Sequence, residues 1–122
     1  MPVAALRAVI MDCADPEALA RFYQELTGME IAFSVDGFVG LAGGSATDLG
    51  FQRVDGYRAP QWPSQDAPQQ FHLDFGVTDI ERAEREVLAL GATVLDRKPE
   101  WRVYADPAGH PFCLSTWDDV QP

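Results

Sequence analysis

Two side chains that could move a proton or hold a ligand stand two positions apart at His72 and Asp74. In an extended segment such residues share a face. An imidazole that titrates near neutrality would then look the same way as a carboxylate, which is the raw material of a proton shuttle. The spacing along a strand is about 7 Å, so the pair suits ligand binding as readily as a direct relay. Cys113 offers a thiol that could act as a nucleophile or soft ligand. No activating neighbour is evident in the sequence, and an unactivated thiol is mostly protonated at neutral pH, which favours a structural role. Gln52 could hydrogen-bond a ligand carbonyl or merely satisfy nearby backbone. Trp62 and Trp101, with Tyr57 and Tyr104, could wall an organic-ligand site, because such sites are mostly apolar with a few placed polar groups. Packing in a core or against a second subunit would use the same rings. His110, in a Gly-His-Pro turn, is expected to be exposed and not catalytic.

The elements that must position these groups follow from periodicity and turn chemistry. Asp79 reads as a helix N-cap, with Ile80, Ala83, Val87 and Leu90 at helical spacing and Gly91 as the left-handed terminator. Asp15 caps an equivalent helix, with Pro16 at the first position and a stripe of Leu19, Phe22, Tyr23 and Leu26 before Gly28. Glu17 and Glu81 favour the positive helix N-termini, while Glu81, Arg82, Glu84, Arg85 and Glu86 read as a solvated face. Extended segments are expected at 5–13, 29–35, 38–42 and 48–54, and again at 69–77, 92–96, 101–105 and 111–117. Asp36-Gly37, Gly43-Gly44-Ser45 and Asp106-Pro107-Ala108-Gly109 supply the turns between them.

The chain therefore reads as two repeats, 1–54 and 69–122, each strand, helix and three strands, joined by a Pro/Gln-rich connection at 55–68. Alternation puts Phe71, Leu73, Phe75 and Val77 under the second helix and His72, Asp74 and Gly76 on the other face. Val9, Met11 and Cys13 fall on the helix side in the first repeat. Phe112 and Leu114 read as core opposite Cys113 and Ser115, as do Leu49 and Phe51 opposite Gly50 and Gln52.

Composition limits the partners. The 122 residues make one domain of ordinary globular composition, 47% hydrophobic and 23% charged, with a core large enough to do without disulfides. Nine basic residues against 19 acidic ones leave a formal charge of −10, a poor match to a phosphate backbone. Nucleic acid is excluded as a partner on that basis. No apolar run approaches the roughly 20 residues of a membrane span, and the opening segment lacks the pattern of a signal peptide. Two cysteines in a chain of this kind fit a reduced, cytoplasmic setting.

The repeated order, together with the segments DPEALARFYQELTGMEI, FHLDFGVTDIERAEREVLALGATVL and DPAGHPFCL, resembles the vicinal oxygen chelate superfamily. That group includes glyoxalase I, extradiol dioxygenases and bleomycin-resistance proteins. The resemblance implies an α+β fold of two βαβββ repeats forming a curled mixed sheet, a cup with helices outside, and commonly a homodimer. It also implies a divalent metal held from the first and last strands of each repeat. Carried over residue by residue, those positions are Ala8, Gly50, His72 and Cys113, of which only His72 matches the usual ligand.

The reading that follows is a metal-independent, glyoxalase-like protein binding a small organic ligand, for which the acidic balance would favour a cation, through His72, Asp74, Gln52, Cys113, Trp62 and Trp101, with no cofactor. A metal-dependent lyase or isomerase of the glyoxalase type is the alternative, followed by sequestration of a bleomycin-type antibiotic. A dioxygenase would need a two-His, one-carboxylate iron site that the sequence does not supply. A structural or regulatory interaction domain would require a cup filled by its own side chains.

Overall fold

In a computed structural model, which describes residues 2–44 and 47–116, the carboxylates of Asp15 and Asp79 cap two helices in the same manner. Asp15 Oδ1 accepts from the Ala18 amide at 3.1 Å and Asp79 Oδ1 from the Arg82 amide at 3.1 Å. Helix α1 spans Pro16–Thr27 and ends on Gly28 at φ 75°, whose amide donates to the Gln24 carbonyl. Helix α2 spans Ile80–Ala89, keeps Leu90 right-handed as its last cap, and turns out at Gly91, φ 115°. Only a residue without a Cβ enters that region freely.

Eight strands accompany them among the described residues: β1 Ala8–Cys13, β2 Glu30–Val35, β3 Phe38–Ala42, β4 Asp48–Arg53, β5 Leu73–Gly76, β6 Thr93–Arg97, β7 Trp101–Ala105 and β8 Pro111–Ser115. They form two four-stranded sheets of the same topology, β1-β4-β3-β2 and β5-β8-β7-β6. In each, the first strand runs parallel to the last and the other pairings are antiparallel. The second strand of each sheet shifts register at one point, between Ile31 and Phe33 and between Val94 and Asp96. The fold is thus α+β with two βαβββ repeats, as the sequence pattern implies. Ser45 and Trp117, expected in a turn and at a strand end, lie outside the described residues.

The chain divides into two compact units, residues 1–58 and 59–122. Most of the Pro/Gln-rich connection therefore travels with the second unit. A Cβ added at Gly109 would lie 2.6 Å from the Ala59 methyl, so the start of that connection rests on the Asp106–Gly109 turn. The buried Asp106 carboxylate holds this turn by accepting from the amides of Ala108 and His110 at 2.9 and 3.0 Å. His110 is half-buried there, not exposed as its turn position suggests.

In the first unit, Met11, Cys13, Leu49, Phe51, Val39 and Leu41 share the sheet face that meets Leu19, Phe22 and Tyr23 of α1. The Tyr23 and Phe51 rings stack at 5.6 Å between centroids. The opposite face is filled locally by its own side chains. Gly50 pairs with Ile10 and Gly40, and a Cβ at Gly50 would come within 2.6 Å of Ile10 Cδ1 and of Phe38 Cζ. At Gly40 it would meet Phe33 Cε1 at 2.8 Å. The rings of Phe33 and Phe38 stack at 5.5 Å above these glycines.

In the second unit Leu73, Phe75, Phe112, Leu114 and Tyr104 occupy one sheet face, and Phe112 stacks on Tyr104 at 5.5 Å. Phe71, expected to extend this apolar row, is 65% exposed. Strand β5 begins only at Leu73, so no ladder holds residue 71 to the alternation.

The charges of α2 do not form a uniformly solvated face either. Glu84 is buried with Val87 on the inner side of the helix. Its carboxylate accepts from Arg97 Nε at 3.1 Å and from the Tyr104 hydroxyl at 3.0 Å, and lies 3.2 Å from Arg102 Nη1. Arg102 also donates to Glu81. The Arg97 hydrogen bond, helped by those from Tyr104 and Arg102, holds Glu84 below the ordinary carboxylate range despite burial. Burial and the hydrogen bond to Glu84 push the Tyr104 phenol up.

Candidate functional site

The face of the second sheet turned away from Phe112 and Leu114 is built from two rows of register partners. Asp74, Cys113 and Val103 stand side by side on β5, β8 and β7, and Gly76, Ser115 and Trp101 form the next row. Because the strand period is two, these side chains project to one side. Asp74, Cys113, Val103, Ser115 and Trp101 line a cavity of about 470 Å³ together with Trp62, Gln69 and His72. That volume suits a small organic molecule.

The three contributions from outside the sheet come from the connection before β5. Residues 61–67 fold into a local turn in which Gln61 N donates to the Ala67 carbonyl at 2.6 Å and Ser64 N to the Gln61 carbonyl at 2.8 Å. The Asp66 amide adds a bond to Ser64 Oγ at 3.1 Å. This ties down the segment that carries Trp62. His72 precedes the first ladder residue and is exposed. On the opposite side, Lys98 N donates to the Trp101 carbonyl at 2.9 Å, closing the β6–β7 connection and setting where Trp101 begins its strand.

Five of the six residues singled out from the sequence meet here: His72, Asp74, Cys113, Trp62 and Trp101. Gln52 lies on β4 of the first unit, exposed, beside Asp12 and Phe38, and does not line this cavity. Three lining residues had no part in that set. Val103 and Ser115 follow from strand parity once the β7–β8 register is known. Gln69 sits in a stretch without periodicity, and nothing in its sequence context marks it out.

The polar groups of the cavity differ in kind. Cys113 is 8% exposed, and burial pushes its thiol up, with the neighbouring Asp74 carboxylate adding to the effect. The thiol is therefore a weak donor in the floor and a poor nucleophile. Tyr104 and Tyr57 take no part in the lining; Tyr104 is wholly buried on the helix side. Ser115 is 2% exposed, and its Oγ, like Gln69 Oε1, is buried with no hydrogen-bond partner among the described residues.

A divalent ion of the kind that the resemblance implies would draw on Ala8, Gly50, His72 and Cys113. Ala8 and Gly50 carry no donor, and any side chain at Gly50 would first have to displace Ile10 and Phe38. Cys113 holds its proton more tightly than an ordinary thiol, whereas a metal needs the thiolate. Among the described residues no three His, Cys, Asp or Glu side chains converge. The residues present do not fit such an ion.

No helix among the described residues is long and apolar enough to cross a membrane. The search of curated proteins returns no match. Solved structures do resemble this one. A glyoxalase/bleomycin resistance protein/dioxygenase family enzyme from Burkholderia phytofirmans PsJN shares 20% identity over 93% of this chain and 98% of its own, at a TM-score of 0.75. A glyoxalase/bleomycin resistance protein from Albidiferax ferrireducens T118 shares 17% over 92% and 98%, at 0.65. The fosfomycin resistance protein FosX from Mesorhizobium loti shares 14% over 98% and 96%, at 0.68. At such identities the likeness is one of fold. A family model described as a glyoxalase-like domain matches residues 8–115, from the first residue of β1 to the last of β8, and the chain belongs to that family.

Proposed function

We propose that this glyoxalase-like protein binds a small organic molecule, without a metal ion, in the cavity on the face of its second sheet opposite Phe112 and Leu114. The observation that carries this reading is the convergence of Trp62, Trp101 and Val103 with Asp74, His72 and Ser115 around about 470 Å³ of open space. Apolar walls supply the attraction and a few polar groups fix orientation, which is the usual composition of a small-molecule site. The donor set supports metal independence, since two of the four expected positions are Ala8 and Gly50 and the thiol of a third is held protonated.

Thermal melting with indole, a flat neutral probe, tests the binding. A ligand that binds only the folded state raises the melting temperature, and Trp101→Ala should remove the rise while leaving the ligand-free melt cooperative. No rise with the native chain, or an equal rise with Trp101→Ala, overturns the assignment. Elemental analysis of protein purified without chelator should find well under one metal per chain. A full equivalent that disappears with His72→Ala would instead support a metal-dependent lyase or isomerase.

A further inference from the structure

Two polar atoms bordering the cavity are left without partners, and both can accept. Gln69 Oε1 and Ser115 Oγ are buried and make no hydrogen bond among the described residues, although both residues line the open space. Burying such an atom unmet costs free energy that a partner would recover. Rotation about the Cα–Cβ bond of Ser115 moves its hydroxyl relative to a cavity that the residue already borders. Gln69 precedes the strand ladder and has its side-chain torsions to turn on. The third acceptor is the Asp74 carboxylate, exposed on the same face and one row from Ser115. A carboxamide oxygen and a carboxylate can only accept, so the group that satisfies them must donate.

The electrostatics point the same way. Asp74 is the acidic residue of the lining, and the chain carries a formal charge of −10, a field that favours cations over anions. Trp62 and Trp101 add flat apolar surface, which attracts both a planar ring and a cation. Resting on the ligand-binding reading above, we propose that the cavity selects a flat ring bearing a cationic, N–H-rich head of the amidine or aminoheterocycle kind. Asp74, Gln69 Oε1 and Ser115 Oγ receive its N–H groups.

Benzamidine, benzamide and benzoate present one ring with a cationic, a neutral and an anionic head of nearly the same shape, and calorimetric titration of the native chain compares them. Benzamidine should bind tightest, with benzoate at least about tenfold weaker. Ser115→Ala and Gln69→Leu should each weaken benzamidine by about three- to tenfold. Asp74→Asn should bring benzamidine down to the level of benzamide. Equal affinity for the three heads, or benzamidine binding indifferent to both Ser115→Ala and Gln69→Leu, overturns the proposal. If indole still raises the melting temperature in that case, the ligand site stands and only its selectivity is wrong. If indole is also without effect, both assignments fall.

Discussion

Asp74 and Cys113 are register partners on the parallel strands β5 and β8, so a carboxylate and a thiol stand side by side in the floor of the cavity. Burial is the larger cause of the raised thiol pKa and the Asp74 charge the smaller. Cys113 should accordingly react slowly with iodoacetamide at pH 8, more slowly than a free thiol of ordinary pKa. Asp74→Asn removes the charge and should speed alkylation by a few-fold, about two to five. Cys13, fully buried beneath α1, stays silent in both proteins. Mass spectrometry of the labelled peptides reads the two sites separately, and rapid labelling of native Cys113 would contradict the assignment.

The Glu84 cluster makes the second unit sensitive at both ends of the pH scale. Glu84 has a folded-state pKa below its ordinary value of 4.5. Its contribution is complete above that value and is lost as pH falls through the folded pKa. Tyr104 is shifted upward from 10.0, so the folded state holds its proton after the unfolded chain releases it, and stability declines above about pH 10. Glu84→Gln should cost on the order of 3 kcal/mol, because it leaves the buried Arg102 with less compensation, and should flatten the acid limb. Urea denaturation followed from pH 3 to pH 11 measures both limbs, and an unchanged acid limb in the variant would assign the effect elsewhere.

Removing the helix caps tests the equivalence of the repeats. Asp15→Ala and Asp79→Ala should each cost about 1 kcal/mol, with helix content by circular dichroism unchanged in the folded state. The two losses should match, because both carboxylates accept from the amide three residues on at 3.1 Å. A loss at only one position would show that the local geometry is not what the cap contributes.

Gly50 predicts an overpacking cost in place of a gain in helix or strand propensity. Gly50→Ala puts a methyl group against Ile10 Cδ1 and Phe38 Cζ, and should destabilise by about 1–2 kcal/mol. Pairing it with Phe38→Leu, which retracts the ring edge, should recover part of that loss. Additive losses in the double variant would mean that Phe38 is not the obstacle.

Element order and helix placement were legible because capping residues and alternation act locally. Asp15, Pro16 and Gly28 bound α1 from the sequence alone, and the parity that set Asp74 and Cys113 apart from Phe75 and Leu114 holds throughout both strands. Phe71 was not legible, since alternation carries information only where a ladder enforces it and β5 starts two residues later. Glu84 was not legible for another reason. An i, i+3 pattern of charges on a helix describes a wet surface unless partners arrive from elsewhere, and Arg97, Arg102 and Tyr104 come from β6 and β7. Gln69 belongs to a segment shaped by turns and by its neighbours, where residue type alone says little about direction. Trp62, in the same segment, stood out only because a large indole is unusual in a plain connection.

The two repeats share one topology but have divided their labour through side-chain volume. Ile10, Phe33 and Phe38 plug the pleats over Gly50 and Gly40 in one, whereas the other leaves its corresponding surface hollow. Three of the hollow's walls, Trp62, Gln69 and His72, hang from a ladder-free stretch outside the sheet. Exchanges at those three places can retune what is recognised while the hydrogen-bonded scaffold beneath stays as it is, so new preferences are within reach of point mutation without refolding risk to the sheet.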